Sequence, residues 1–294
     1  MKNKAIDYDK HFMDIVDENA KSLFRTFNQD YRLYSLVRSV KLNHDKLLDI
    51  GCGGGKLTES LPYYFKNARI YGCDISNTAI SYARKLGSGK VKYSVIRNNK
   101  FPYKNNSFDV CIAFDVLEHV ENVDSLLNEA KRVLKDDGKF FIIVPCEGQP
   151  FTYTWLFQKL HLGQNLTYRY FGHIHPEYTH KYVLKVLKKH GFKIEEISYS
   201  EHFFYQCIQV LLLFLSKRFM ELLVGEKKIA EYMPCNSIKS PKNKYDIIRI
   251  IRMSGLGLYD FFRMYLLYWE TILFRKVSFT GWKLHVLVSK EVQR

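Results

Sequence analysis

The chain has 294 residues, of which 47% are hydrophobic and 26% charged; this is an ordinary globular composition and excludes an extensively disordered protein. Its formal net charge of +15 lies mainly in the second half, where residues 151–294 carry 22 Lys and Arg against 11 Asp and Glu. This excess suits an anionic lipid surface, a nucleic acid or a basic face in contact with solvent alone.

The cysteines and the apolar segments bear on the cellular compartment. The six cysteines are Cys52, Cys73, Cys111, Cys146, Cys207 and Cys235. No two of them form a C-x-x-C pair, so we predict buried free thiols in a reducing compartment rather than a zinc ribbon. Residues 1–18 lack the apolar stretch of a signal peptide, and no window reaches the roughly 18 uninterrupted apolar residues that a membrane span requires. We therefore expect a cytoplasmic protein that is still able to bind a membrane surface.

Strand-like and helix-like segments alternate along most of the chain. The predicted strands are Lys46–Ile50, Arg69–Cys73, Val91–Ile96, Ser107–Phe114, Lys139–Pro145, Phe192–Tyr199 and Trp282–Ser289. The predicted helices are Lys56–Phe65, Asn77–Leu86, Val123–Leu134 and Tyr178–His190. The sequence Asp-Asp-Gly at 136–138 is the expected stop signal after the third helix. This alternation predicts a parallel sheet that is covered on both faces.

Four regions follow from this pattern. Residues 1–42 are expected to form an N-terminal helical cover, and residues 43–200 to form the core domain. Residues 201–278 are strongly apolar, basic and helical in pattern, and residues 279–294 contain the final core strand and a tail. Because a lone terminal strand needs a sheet to join, we interpret 201–278 as an insertion between the last two strands.

A glycine-rich turn joins the first predicted strand to the helix after it. It reads LLDIGCGGG over 47–55, and glycines at Gly51, Gly53 and Gly55 permit a tight turn and a close backbone approach to a ligand. The dinucleotide fingerprint requires glycine at position 56, which is Lys56, and Gly55-Lys56 is not followed by the Ser or Thr of a phosphate loop. Nucleotide phosphates are therefore a poor ligand for this turn.

Two acids flank the glycine turn. Asp74 ends the second strand 21 residues after Gly53, where an acid can accept hydrogen bonds from both ribose hydroxyls; the alternative is a helix N-cap. Asp49 lies just before the turn, where a carboxylate repels phosphate and attracts an amine or a sulfonium. Together with the absent third dinucleotide glycine, these acids point to S-adenosylmethionine.

Five sequence blocks in the same order resemble the class I S-adenosylmethionine-dependent methyltransferases. LLDIGCGGG is similar to their first motif and YGCDIS to their second. FPYKNNSFDVCIAFDVLEHVEN, LKDDGKFFIIVP and HPEYTHKYVLKVLKKHGFKI resemble later blocks, and the LEHV run is most similar to the small-molecule branch that includes quinone O-methyltransferases. The resemblance implies an α/β, Rossmann-like, doubly wound sheet of seven strands in the order 3-2-1-4-5-7-6, with strand 7 antiparallel.

The resemblance also implies a role for each matching residue. Asn98 departs from the Asp that is frequent at its position, so Arg97 and Asn99 are alternatives there. The implied cofactor-binding residues are Asp49, Gly51, Gly53 and Gly55 at the methionine end, Asp74 at the ribose, Ile75 and Asn98 at the adenine, and Asp115 and Val116 at the sulfonium and methyl group.

A hydroxyl acceptor would also need a base, and histidine suits that task near neutral pH. His119, His173 and His175 are the candidates, and a purely structural role is the alternative for each of them. His173 and His175 form a His-x-His pair that could begin a metal site with His180 or Glu147. Because no third ligand follows from the spacing, we predict no metal.

The insertion suggests the kind of acceptor. Its apolar runs are flanked by Lys and Arg, which suits an anionic membrane surface, although the same helices could bury their apolar faces on each other or in a homodimer. We expect a methyltransferase that acts on oxygen of a small hydrophobic or lipid-linked acceptor. The alternatives are an RNA methyltransferase, although no RNA-binding module is recognisable, and a non-catalytic binding protein on the same fold.

Overall fold

The computed structural model describes residues 31–41, 43–160, 172–208, 267 and 269–291. Seven strands form one sheet in the order β3-β2-β1-β4-β5-β7-β6, and β7 runs antiparallel to both of its neighbours. The predicted α/β fold and strand order are therefore confirmed. The strands are β1 Lys46–Ile50, β2 Arg69–Asp74, β3 Val91–Val95, β4 Phe108–Phe114, β5 Leu134–Pro145, β6 Phe192–Ser200 and β7 Lys283–Lys290.

The helices between the strands begin at polar caps. The Ser76 side chain accepts a hydrogen bond from the Ala79 amide at the start of one helix, and Asn122 accepts from Ser125 at the start of another. Residues 203–208 and 269–274 are also helical. The helices are α1 Tyr31–Ser39, α2 Leu61–Tyr64, α3 Asn77–Leu86, α4 Val123–Val133, α5 Tyr153–Lys159 and α6 His180–Lys189, and 3₁₀ turns span Thr58–Ser60 and Leu117–His119.

Two predicted elements were wrong in extent. The predicted helix Lys56–Phe65 is instead the 3₁₀ turn Thr58–Ser60 followed by the four-residue α2. The expected stop signal at 136–138 lies inside β5, because Leu134 already pairs with Phe108 of β4 and the register then shifts before Val110. The bulged pairing extends the strand through exposed polar residues that read as a turn in the sequence.

The hydrophobic core forms two layers, one on each face of the sheet. In β5, Phe140 and Ile142 belong to one buried cluster, whereas Phe141 and Ile143 belong to the other. Successive side chains of a strand point to opposite faces, so a continuous apolar run is what a doubly covered strand requires. Leu36 of α1 belongs to the second cluster, which agrees with a covering role for the end of region 1–42.

Much of the predicted insertion, residues 209–266, lies outside the described residues, as do 1–30 of the predicted cover. Its two described ends meet: the Glu270 carboxylate accepts hydrogen bonds from the backbone amides of His202, Phe204 and Tyr205. No helix among the described residues has the length and hydrophobicity to cross a bilayer. Of the cysteines in the described part, Cys73, Cys111 and Cys146 are buried free thiols, as predicted for apolar strand positions.

Candidate active site

The glycine turn is bound to the end of β2 by its own backbone. The amides of Gly51 and Cys52 both donate to the Cys73 carbonyl, at 2.8 and 3.1 Å. The Gly53 amide donates to Oδ2 of Asp74 at 2.8 Å, and Oδ1 of the same carboxylate accepts from the Ser76 amide at 2.9 Å. Asp74 therefore fixes the turn, and the N-cap of α3 is Ser76 rather than Asp74.

Gly51 and Gly53 both adopt the left-handed backbone that favours glycine. Gly51 has φ +72°, and a Cβ there would lie 2.5 Å from a methyl group of Val116, so the segment that follows β4 touches the turn at this point. Gly53 has φ +51°, and a Cβ there would meet no atom within 4 Å. The left-handed backbone therefore opens onto clear space at Gly53, as a turn that holds a ligand against its main chain requires.

Asp49 is a buried acid directly below the turn. Its carboxylate accepts a hydrogen bond from the Thr58 hydroxyl at 2.7 Å. Burial raises the pKa of Asp49 to about 7; Asp74 acts in the same direction, whereas the hydrogen bond from Thr58 and the charge of Arg32 act against it. A cationic ligand bound beside Asp49 would lower this raised pKa again, because it favours the ionised carboxylate.

A second buried charge network lies at the end of β4. Lys283, at the start of β7, contacts Asp115 at 2.7 Å and Glu201 at 3.3 Å. Arg32 of α1 reaches Asp115 at 3.3 Å, and the Tyr31 hydroxyl donates to Glu201 at 3.0 Å. Burial alone would raise the pKa of Asp115, but Lys283 and Arg32 outweigh it and lower the pKa to about 2. The network joins α1, β4, β6 and β7 across the same edge of the sheet.

We expect Lys283→Met to lower the free energy of unfolding by about 3–5 kcal/mol, because it leaves two buried carboxylates without their shared cation. Lys290→Met, at the other end of β7, is the matched control, because Lys290 contacts Asp136, whose side chain is mostly exposed. Its effect should stay within about 1 kcal/mol. Denaturant unfolding of both variants measures this, and equal losses would show that Lys283 has no special structural role.

Two histidines and two glutamates form a buried cluster next to this network. The ring of His173 contacts Glu147 through Nδ1 at 2.5 Å, and Nδ1 of His119 lies 3.1 Å from the Gly172 carbonyl. The two imidazoles meet edge to face with centroids 5.1 Å apart. Glu118 is fully buried, and its pKa is raised well above the ordinary value by burial and by the nearby charge of Asp115. We call Glu118, His119, Glu147 and His173 the histidine–glutamate cluster.

This cluster has the residue types of a metal site. Ligand atoms of Glu118, His119 and His173 all lie within 4.8 Å of one another. His180, named from the sequence as a further ligand, lies elsewhere, with its ring 4.7 Å from the ring of Tyr199. Glu147, the other residue so named, does contact His173.

The remaining predicted site residues differ in their placement. Ile75 is half exposed beside Asp74, as a residue that covers an adenine ring would be. Asn98 has φ +50° and follows β3 in an exposed turn, with no contact that fixes a role for it. His175 stacks on Tyr178 with centroids 4.6 Å apart, and its ring nitrogens lie 3.0 Å from Glu177 and 2.9 Å from the Val120 carbonyl. These contacts favour the structural alternative for His175 over a catalytic one.

Several residues of this site were not named from the sequence. Thr58 binds Asp49, and Arg32 and Lys283 bind Asp115. Thr58 lies nine residues from Asp49, in a segment predicted as one helix. Arg32 and Lys283 lie 83 and 168 residues from Asp115, so local spacing gave no signal for them. Only the fold, which places the start of antiparallel β7 beside the carboxyl ends of β4 and β5, predicts such an approach.

Comparison with known proteins identifies the domain that carries this geometry. Residues 48–142 match the family model described as "Methyltransferase domain". This segment is a class I methyltransferase domain. The matched residues span the glycine turn, Asp74, β4 and most of β5, so the methyltransferase domain supplies both acids and the first half of the histidine–glutamate cluster.

The methyltransferase domain also has named relatives. A ubiquinone biosynthesis O-methyltransferase of Pelagibacter ubique is 34% identical over 117 residues, which is 39% of this chain and 47% of that protein. The chain thus spans about half the length of the curated relative it matches.

Two solved structures share the fold over most of the chain. Phosphoethanolamine N-methyltransferase 2 of Haemonchus contortus, in complex with S-adenosyl-L-methionine, has a TM-score of 0.51 at 19% identity, covering 96% of this chain and 60% of that one. The [4+2]-cyclase SpnF has a TM-score of 0.53 at 17% identity, covering 89% and 81%. The cyclase has this fold and is named for another reaction, so the fold alone does not determine the function.

Proposed function

We propose that the protein is an S-adenosylmethionine-dependent methyltransferase that methylates oxygen of a small hydrophobic or lipid-linked acceptor at or near a membrane surface. One observation carries the proposal: the glycine turn and the histidine–glutamate cluster adjoin, because Gly51 packs on Val116 and the cluster begins two residues later, at Glu118. A cofactor site and a proton-handling site are thus neighbours at the carboxyl edge of one sheet.

The residues around the turn fit S-adenosylmethionine. Gly53 opens onto clear space, Asp74 presents both carboxylate oxygens at the turn, and Asp49 supplies a negative charge for a cation. Such a site disfavours phosphates and suits a ligand that carries a ribose together with an amine and a sulfonium. When bound, this cofactor supplies an electrophilic methyl group. The chain's own residues align the acceptor with it and exclude water.

The histidine–glutamate cluster supports an oxygen acceptor. Methylation of a hydroxyl oxygen requires loss of its proton, and His119 and His173 are the groups beside the turn able to assist that loss. Glu147 holds Nδ1 of His173, which fixes the orientation of the ring. The name of the Pelagibacter relative supports an oxygen acceptor with an apolar body.

The membrane part of the proposal is supported by exposed apolar side chains at both described ends of the insertion. Phe203, Phe204, Leu273 and Phe279 are all more than half exposed, and the rings of Phe204 and Phe274 lie 6.5 Å apart. The two ends therefore meet at Phe204 and Phe274, and each end carries exposed apolar side chains. An apolar surface of this kind suits contact with the headgroup region of a bilayer.

The test incubates the purified protein with methyl-labelled S-adenosylmethionine and an extract of its source cell, separated into membranes and soluble material. We expect label in an organic-solvent extract of the membranes, stable to nuclease. The histidine variant His173→Gln should lose most of the transfer, about 100-fold or more, if the cluster handles the proton.

Other destinations of the label would contradict the proposal. Label in a nuclease-sensitive fraction would support an RNA methyltransferase, and label in water-soluble small molecules would remove the lipid-linked acceptor. Binding of the cofactor without transfer to any fraction would favour a non-catalytic protein on this fold. Vesicles with anionic lipid, mixed with the protein at low salt, provide the parallel readout: failure to co-sediment would rule out the membrane surface.

A further inference from the structure

The histidine–glutamate cluster contains buried carboxylate oxygens that the described part of the chain leaves without hydrogen-bond partners. Both carboxylate oxygens of Glu118 and Oε2 of Glu147 are buried, and none of the three has a hydrogen-bond partner among the described residues. Lys283, the buried cation nearby, is already engaged by Asp115 and Glu201. A buried carboxylate without a partner is costly, so the site calls for a positive charge.

The imidazoles are oriented as metal-binding histidines are. Nδ1 of His173 faces the Glu147 carboxylate, and Nδ1 of His119 faces the Gly172 carbonyl. Proteins fix a ligating imidazole in this way, with one ring nitrogen on a carboxylate or carbonyl and the other directed at the ion. Two segments more than 50 residues apart thereby present their rings to each other and to Glu118.

We propose that Glu118, His119 and His173 bind one divalent transition-metal ion, with Glu147 as the positioning residue for His173. Two histidines and one carboxylate are a ligand set for Zn²⁺ and for Fe²⁺. Ligands around tetrahedral Zn²⁺ lie about 3.3 Å apart, given metal–nitrogen bonds of about 2.0 Å. The ligand atoms, which lie within 4.8 Å of one another, must therefore draw together by up to about 1.5 Å on binding. A divalent ion would also favour the ionised form of Glu118, which burial disfavours.

The ion has a chemical use beside the glycine turn. Three protein ligands leave a coordination position open, and a hydroxyl bound there becomes more acidic because the ion stabilises its oxyanion. The O–H bond breaks, the proton passes to water, and the oxygen lone pair stays on the acceptor for bond formation to the methyl carbon. In this scheme the histidines act as ligands rather than as a base. This catalytic role rests on the proposed function, whereas binding of the ion does not.

The experiment measures metal binding without the cofactor. Tag-free protein, stripped with a chelator and dialysed, is titrated with Co²⁺ while visible d–d absorption is recorded, then with Zn²⁺ in competition, and bound zinc is counted by mass spectrometry. We expect one ion per chain. Glu118→Gln and His119→Gln should abolish the Co²⁺ spectrum, and Glu147→Gln should weaken Zn²⁺ binding about 10- to 100-fold.

The control is His190→Gln, which removes another histidine paired with a carboxylate, Asp124 at 3.0 Å, outside the cluster. It should bind both ions like the wild type, and thermal unfolding confirms that each variant is folded. Wild-type protein that takes up no stoichiometric ion, or cluster variants that bind as tightly as His190→Gln, would overturn the metal site. S-adenosylmethionine affinity measured on the same samples separates this failure from failure of the proposed function.

Discussion

Replacing Asp74 by alanine is expected to weaken S-adenosylmethionine binding by roughly 100-fold to 10,000-fold. The carboxylate would accept hydrogen bonds from two ribose hydroxyls, and each bond to a charged group contributes about 1.5–3 kcal/mol. The same carboxylate holds the Gly53 amide and the Ser76 amide, so its loss also releases the turn that approaches the ligand. Titration calorimetry of the cofactor against wild type and variant measures the effect.

Asp124→Ala is the matched control for this experiment. Asp124 is an acid in the first turn of a helix with a mostly exposed side chain, and it takes no part in the glycine turn. Its removal should leave cofactor affinity within about twofold of the wild type, since exposed charges contribute little. An Asp74→Ala variant that stays folded and binds within threefold of wild type would exclude Asp74 from the ribose site.

The strands of the sheet could be predicted because their signals are local. β1 and α3 have the predicted bounds, since the pattern of apolar and polar residues that predicts each element lies within its own short segment. The start of β5 was missed because Leu134–Gly138 becomes a strand only by a bulged pairing with β4. That pairing depends on a neighbour more than 20 residues away, and exposed Asp136 and Asp137 mimic a turn.

The site residues likewise fall into those with a local sequence signal and those that meet only in the folded chain. Gly51, Gly53, Asp49 and Asp74 could be named because the turn and its acids lie within two consecutive strands. Glu147 and His180 could both be named as possible partners of His173, but spacing could not choose between them, since the contact with Glu147 joins residues 26 apart. The placement of Lys283 beside Asp115, 168 positions earlier, needed the antiparallel entry of β7 between β5 and β6. The spacing of residues in the sequence identifies candidates for catalysis or binding, and the topology of the fold decides which of these candidates contact each other.

Asp49→Asn is expected to change how cofactor binding depends on pH. Burial raises the pKa of Asp49 to about 7, so the free protein carries a neutral acid there below pH 7 and a carboxylate above it. A cationic ligand favours the carboxylate, and wild-type affinity should therefore fall by up to about tenfold per pH unit as the pH decreases below 7. The asparagine variant should bind about 100-fold more weakly at pH 8, as a two-unit fall in this pKa on binding would produce. Its affinity should also change little with pH.

The same substitution should stabilise the free protein, and more so at high pH. The unfolded chain releases the Asp49 proton near pH 3.8, whereas the folded protein holds it to about pH 7. Stability is therefore lost as the pH rises through this window, by a few kcal/mol at about 1.4 kcal/mol per pKa unit. Asparagine carries no charge to bury and can still accept the Thr58 hydrogen bond through its amide oxygen. The gain in melting temperature over wild type should be larger at pH 8 than at pH 5. An equal gain in melting temperature at pH 5 and pH 8, with wild-type cofactor affinity independent of pH, would contradict this. It would show that Asp49 keeps an ordinary pKa and does not interact with the charge of the ligand.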